Sequence, residues 1–211
     1  MDWNLNVLTV GPLQMNAVLL VADGAAGREG VLIDPGAEAP RLLRAVDDAG
    51  CRLVGLLATH GHFDHVGAAA DIQRRLTLPL RCHPDDVPLV RSLPRIQEAY
   101  GFPPDDVPEV RGDLLDGSEI PLADGVLRVR HVPGHSPGQV MFLWEDHAIV
   151  GDCLFAGSVG RTDLPGGDFA ALEKSIRERI YTLPDETVII CGHGPDTTVG
   201  RERSGNPFVR G

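Results

Sequence analysis

Three histidines and an aspartate crowd into six positions where residues 59–67 read THGHFDHVG. Imidazole nitrogen and carboxylate oxygen are the ligands that suit zinc and related divalent ions. The spacing of His60, His62, Asp64 and His65 also dictates the backbone they need. Residues i and i+2 point to opposite faces of a strand and lie well apart around a helix, so His60 and His62 can share one ion only from a loop. The apolar run Leu53–Ala58 just before them reads as a buried strand. Val66, Ala69, Ala70 and Leu76 just after them mark a helix that Asp64 and His65 would open. Four potential ligands at a strand-to-helix turn make this stretch the candidate chemical centre.

Three later strand ends each present one more ligand type. Val129–Val132 runs into Pro133-Gly134-His135-Ser136-Pro137-Gly138, Ile149-Val150-Gly151 into Asp152, and Val188–Cys191 into Gly192-His193-Gly194. Glycine and proline at these turns fix the chain and let backbone approach closely. Singly, each has a plainer reading: a turn cap, a loop start, an exposed histidine. Together, four strand ends carry five histidines and two aspartates. Asp34, which leaves the strand Val31–Ile33 at Asp34-Pro35-Gly36, has two compatible roles. It can form a turn by bonding nearby amides, or accept a hydrogen bond from a metal-bound histidine.

The elements that must position these residues follow from the apolar pattern. Val7–Val10, Ala17–Val21 and Val31–Ile33 read as short strands, and Ala39–Ala49 as a helix with Leu42, Leu43 and Val46 on one side and Gly50 as its stop. Leu78–Cys82 reads as a strand, at a sheet edge because of Arg81. Residues 83–112 hold six prolines and several acids. They predict an excursion with short helices near Asp86–Ser92 and Arg95–Tyr100, of the kind that forms the wall or lid of a site. Val126–Val132, Val140–Trp144, Ala148–Val150 and Thr187–Cys191 are strand-like. Phe169–Tyr181 is a helix with Asp168 as its N-cap, and Arg201–Gly211 reads as a polar tail. Strands followed by helices, twice over, indicate a layered α/β domain.

A chain of 211 residues suits one domain, or at most two small ones. Its formal net charge of −11 argues against a broad basic surface for nucleic acid. The opening MDWNLNVLTV lacks the layout of a signal peptide, and the longest apolar run, Ala17–Ala22, is far too short to span a bilayer. The four cysteines (Cys51, Cys82, Cys153, Cys191) are scattered, which fits reduced thiols and predicts a cytoplasmic protein. Cys153 and Cys191 read as packing residues, and His83, His131 and His147 as histidines outside the ligand set.

The order His60-x-His62-x-Asp64-His65, then His135, Asp152 and His193, resembles the metallo-β-lactamase superfamily. Within it, GDCLFAGSVGRTDLPGGD (151–168) and GHGPDTTVGRERSGNPF (192–208) resemble a short glyoxalase II-like branch. The resemblance implies a single-domain, four-layer αββα sandwich over residues 1–211, with no counterpart of the helical C-terminal domain that grips glutathione in full-length glyoxalase II. It implies two divalent ions, zinc foremost, with iron or manganese also suited. His60, His62 and His135 would hold the first, Asp64, His65 and His193 the second, and Asp152 would bridge them. A hydroxide shared by the ions would attack an acyl thioester such as S-D-lactoylglutathione, with Asp64 orienting it and carrying protons. Arg161, in GRTD, resembles a residue that holds a substrate carboxylate, and it is also placed to pair with Asp163 or Asp168. The implied partner is a small-molecule thioester, with neither nucleic acid nor membrane. Three other readings share the pattern: a persulfide dioxygenase with one Fe(II), a lactonase, and a metal-binding scaffold or sensor without activity.

Overall fold

The structure, a computed structural model, describes residues 2–211. Two six-stranded sheets, each drawn from one half of the sequence, pack face to face. The first runs β1 (Trp3–Val10), β2 (Met15–Gly24), β3 (Gly27–Ile33), β4 (Arg52–Leu57), β5 (Leu80–Cys82) and β6 (Val110–Gly112) in that spatial order. Its first three strands are antiparallel, and β3 to β6 are parallel. Parallel neighbours need crossovers. These carry α1 (Ala39–Ala49), then α2 (Phe63–Val66) and α3 (Ala69–Gln73), then α4 (Val87–Arg91) and α5 (Leu93–Ala99).

The second sheet holds β7 (Glu119–Leu122), β8 (Gly125–His131), β9 (Val140–Trp144) and β10 (His147–Gly151) as an antiparallel meander. A small hairpin, β11 (Leu154–Phe155) with β12 (Ser158–Val159), and α6 (Phe169–Ser175) lead to β13 (Val188–Cys191), which pairs parallel to β10. The edge strand β14 (Thr197–Thr198) and α7 (Val199–Gly205) complete the element order.

Alternation along the strands builds three apolar layers. In β2, Ala17, Leu19 and Val21 face outward onto Leu42 and Val46 of α1 and Ile72 of α3. Val18, Leu20 and Ala22 face inward onto Val129, Val140, Phe142, Ile149 and Ile190 of the other sheet. On the far side, Ala148, Val150 and Ile189 meet Leu172 and Ile176, with Val199 of α7 closing the layer. Helix, sheet, sheet, helix is the αββα sandwich expected from the sequence. Phe142 is fully buried between the sheets, and truncating it to alanine is expected to cost about 3–5 kcal/mol.

Four elements read from the sequence take a different form in the structure, and the short strands β6, β7, β11, β12 and β14 are additional to those expected from it. Leu80–Cys82 is an interior strand, because β6 pairs with it on the side away from β4, and Arg81 reaches solvent by pairing with Asp113. The helix expected from Asp64 to Leu76 breaks in two, since the Ala68 amide donates to the Pro35 carbonyl instead of continuing the helical ladder. The last part of the helix Phe169–Tyr181 widens into a π-turn at Ile176–Ile180, while Asp168 caps the start by accepting from the Ala171 amide. The polar tail contains α7, held by a buried Glu202 that accepts from Thr197, Asn206 and the Gly157 amide. Among the described residues no helix is long and apolar enough to cross a membrane.

Candidate metal centre

The C-terminal ends of β3, β4, β8, β10 and β13 deliver Asp34, the His60–His65 loop, His135, Asp152 and His193 to one rim of the sandwich. The sheets meet there directly: the Val140 amide donates to the Thr59 carbonyl at 2.8 Å, and the Asn16 amide to the Gly192 carbonyl at 2.8 Å. His60, His62 and His135 form one triad of potential ligand atoms, and Asp64, His65 and His193 another. Asp152 lies between them. Its Oδ1 is 3.2 Å from His65 Nε2, and its Oδ2 is 3.6 Å from both His135 Nε2 and His193 Nε2. His193 Nε2 is 3.2 Å from Asp64 Oδ2.

Four of the five histidines have their second ring nitrogen engaged. His65 Nδ1 bonds Asp34 Oδ2 at 2.9 Å, His135 Nδ1 the Arg161 carbonyl at 2.7 Å, His193 Nδ1 the Leu13 carbonyl at 3.0 Å, and His60 Nδ1 the Thr59 hydroxyl at 3.1 Å. Such partners fix the ring orientation and leave Nε2 for a metal. Consistent with this, Nε2 of His60, His65 and His135 and Oδ1 of Asp152 are buried without a hydrogen-bond partner. Unpaired buried polar atoms are costly, and four aimed at one space fit a bound cation. The donor set, imidazole and carboxylate, suits zinc, iron or manganese.

In the metal-free protein the rings of His60 and His62 are held neutral, while burial of His65 is outweighed by the carboxylates around it, which draw it toward the charged form, a place a cation would take. Burial, then the neighbouring imidazole of His135, pushes His62 down to about 4, so it is neutral and ready to ligate. Burial and the surrounding rings hold His60 well below the usual histidine range. Burial alone would push the Asp152 carboxyl up, but His65 and the other rings outweigh it and keep the group ionised. Burial opposes charge on His65 as well, yet Asp152, Asp34 and Asp64 outweigh it and raise the group well above its ordinary value.

Asp34 takes both roles considered for it. It turns the chain at φ 54°, a left-handed conformation uncommon outside glycine. Its carboxylate accepts from the Thr59 amide at 2.6 Å and the Thr59 hydroxyl at 2.7 Å besides His65. The Arg161 side chain is exposed and pairs twice with Asp163, at 2.7 Å each, while its carbonyl orients His135. Cys153 and Cys191 are buried, and burial pushes the Cys191 thiol up to about 12. His83 and His131 stack 4.1 Å apart with planes 4° from parallel, so their in-plane lone pairs do not converge on one ion despite Asp85 nearby. His147 stacks on Trp144, at the opposite end of β10 from Asp152.

Two contributors carry no motif. Asn16 is buried and donates to the Cys191 carbonyl at 3.1 Å and the Gly194 carbonyl at 2.9 Å, clamping the His193 turn; a lone amide opening an apolar strand is its only signal. Asp86, from the 83–112 excursion, is fully buried against the loops of His60 and His135. At Gly192 a Cβ would collide with Asp152 Oδ1 and lie 2.9 Å from His65 Cε1. Gly192→Ala is therefore expected to abolish metal uptake although every ligand remains, as elemental analysis of the folded variant would register.

A family model described as the metallo-beta-lactamase superfamily matches residues 10–193. The chain belongs to the metallo-β-lactamase superfamily. A hydroxyacylglutathione hydrolase GloC of Haemophilus influenzae is 36% identical over 211 residues, spanning 98% of each chain. The crystal structure of TTHA1623 in a di-iron-bound form is 42% identical, with a TM-score of 0.85, over 97% of this chain and all of that one. That of the BLEG-1 B3 metallo-beta-lactamase is 34% identical, with a TM-score of 0.88, over 99% of this chain and 100% of its own. This superfamily member is a metal-dependent hydrolase, and its His/Asp cluster is compatible with a binuclear metal site.

Proposed function

We propose that this chain is a thioester hydrolase of the hydroxyacylglutathione hydrolase type, acting on a small acyl thioester such as S-D-lactoylglutathione. The observation that carries the reading is the pair of complete ligand triads with Asp152 between them. A mononuclear iron enzyme has no need of the Asp64–His65–His193 set. The GloC relative supports the substrate class, and the four free thiols fit a cytoplasmic protein.

His60, His62 and His135 would hold one ion, Asp64, His65 and His193 the other, and Asp152 both. When bound, two divalent cations polarise the substrate carbonyl and lower the pKa of water toward neutrality. The protein's own groups do the rest. No cysteine or serine beside the ligands offers a nucleophile: the Cys153 and Cys191 thiols are buried, and Ser136 is buried with its hydroxyl donated to Asp86. Water is thus the attacking group, and Asp64, on a side chain 17% exposed with Oδ2 3.2 Å from His193 Nε2, is placed to orient it. As the C–S bond breaks, the thiol leaves as a thiolate with an ordinary pKa of about 8.5, so no strong general acid is needed.

A cleft of about 200 Å³ opens beside Asp64, walled by Leu13 and Met15 of the β1–β2 hairpin and by Phe63 and Phe102. Phe102 comes from the 83–112 excursion and packs 5.4 Å from Phe63. Its apolar walls suit the carbon chain of an acyl group. Phe102→Ala is expected to raise KM for longer acyl thioesters several-fold while leaving kcat nearly unchanged.

The test is thiol release from S-D-lactoylglutathione beside elemental analysis of the purified protein. About two metals per chain, with turnover abolished by chelation and restored by zinc or iron, is the expected result. One iron with oxygen uptake on a persulfide would overturn it. So would turnover of only a lactone or a β-lactam.

A further inference from the structure

We propose that Asp86 is a positioning residue for the first half-site, tying the loop of His60 and His62 to the loop of His135. It closes a 3-10 turn, Pro84–Asp86, at the start of the excursion, and its side chain is fully buried. Its Oδ2 accepts from the Gly61 amide at 2.8 Å and the Ser136 hydroxyl at 2.7 Å, and its Oδ1 from the Gly138 amide at 2.6 Å. Gly61 stands between His60 and His62, and Ser136 directly follows His135. One carboxylate therefore spans both loops of one ligand triad, and the loops come from different sheets.

The socket is built for that contact. A Cβ at Gly61 would lie 2.8 Å from the Asp86 carbonyl oxygen, and one at Gly138 2.8 Å from Asp86 Oδ1. Both positions must stay bare for the carboxylate to reach the two amides. Buried carboxylates satisfied by several donors hold those donors in fixed geometry, because losing any one leaves charge unpaired. Asp34 serves the other triad in the same manner through His65. Asp34 also reaches the first triad, but only through Thr59, whose hydroxyl meets His60 Nδ1, whereas Asp86 bonds no residue of the second. The excursion beyond β5 acts as part of the metal centre's scaffold as well as a wall of the cleft.

The inference rests on the binuclear reading of the cluster. The test is a Co(II) titration of the metal-stripped full chain and of Asp86→Asn, Ser136→Ala and Asp34→Asn. It is followed by the hyperfine-shifted ring N–H signals of His135, on the Arg161 carbonyl, and of His193, on the Leu13 carbonyl. The wild type is expected to take two ions and show both signals. Asp86→Asn is expected to weaken the site reporting through His135 by roughly 10–100-fold, leaving the His193 site near wild type. Ser136→Ala, which removes one donor and folds even where Asp86→Asn does not, should shift the same site a few-fold. Asp34→Asn should weaken the His193 site more than the His135 site, which it reaches only through Thr59. Equal losses at both sites in Asp86→Asn, or wild-type affinities in it and in Ser136→Ala, would overturn the proposal. A wild type that binds fewer than two ions would instead overturn the binuclear reading on which it stands.

Discussion

Asp152→Asn is expected to reduce bound metal from about two ions per chain to less than one and to lower thioester hydrolysis by about 10³-fold or more. The substitution keeps the side-chain volume but replaces an anionic oxygen shared between triads with an amide nitrogen that has no lone pair to offer a cation. Only Asp152 reaches His65 with one oxygen and both His135 and His193 with the other. The variant should still fold, because its backbone sits in the β10 turn regardless of charge. Near-ultraviolet circular dichroism beside elemental analysis separates the two effects. An Asp152→Asn protein that retains two ions would show that the triads bind independently and that the carboxylate is no bridge.

Asp34→Ala should be the most destabilising single change at the rim. Three donors lose their acceptor: the Thr59 amide, the Thr59 hydroxyl and His65 Nδ1. Leaving a buried donor unpaired costs about 1–3 kcal/mol each. Alanine at φ 54° adds about 1–2 kcal/mol of left-handed strain. A loss of about 4 kcal/mol in the metal-free protein, a fall in Tm of roughly 10 °C, is the expected result in thermal denaturation. Asp34→Asn should lose less, since asparagine tolerates the left-handed region and still offers one acceptor oxygen. Equal Tm values for the two variants would mean that neither strain nor acceptor number governs this site.

The clustering of the candidate ligands was legible because the residues that could hold an ion sit at strand ends. His60, His62, Asp64 and His65 announce themselves by crowding, and His135, Asp152 and His193 by following apolar runs into glycine turns. The central strands were legible for a similar reason, since burial on both faces of β2, β4, β9, β10 and β13 gives continuous apolar runs, whereas the short edge strands β6, β7 and β14 carry no such run. Asp86 and Asn16 were not, because nothing local distinguishes a clamp from any acid after a proline or any amide before a strand. Their roles exist only once Gly61, Ser136 and Cys191 are brought against them from far along the chain. Arg81 misled in the opposite sense: a charge in a strand suggests an edge, yet its long stem carries the guanidinium out to Asp113 from an interior position. The broken helix after His65 has a tertiary cause too, the Pro35 carbonyl that captures the Ala68 amide.

Each sheet is drawn from one half of the sequence, the first ending with β6 at Gly112 and the second beginning with β7 at Glu119. Four candidate ligands belong to the first half and three to the second. An ion held by both halves is therefore a removable cross-link that restricts the unfolded chain. Closing a loop of this length by a link removes roughly 4–5 kcal/mol of chain entropy from the denatured ensemble. Each half can assemble its own sheet from strands that are neighbours in sequence, and the ion then secures their docking. Chelation should accordingly loosen the junction before either sheet, splitting one unfolding transition into two.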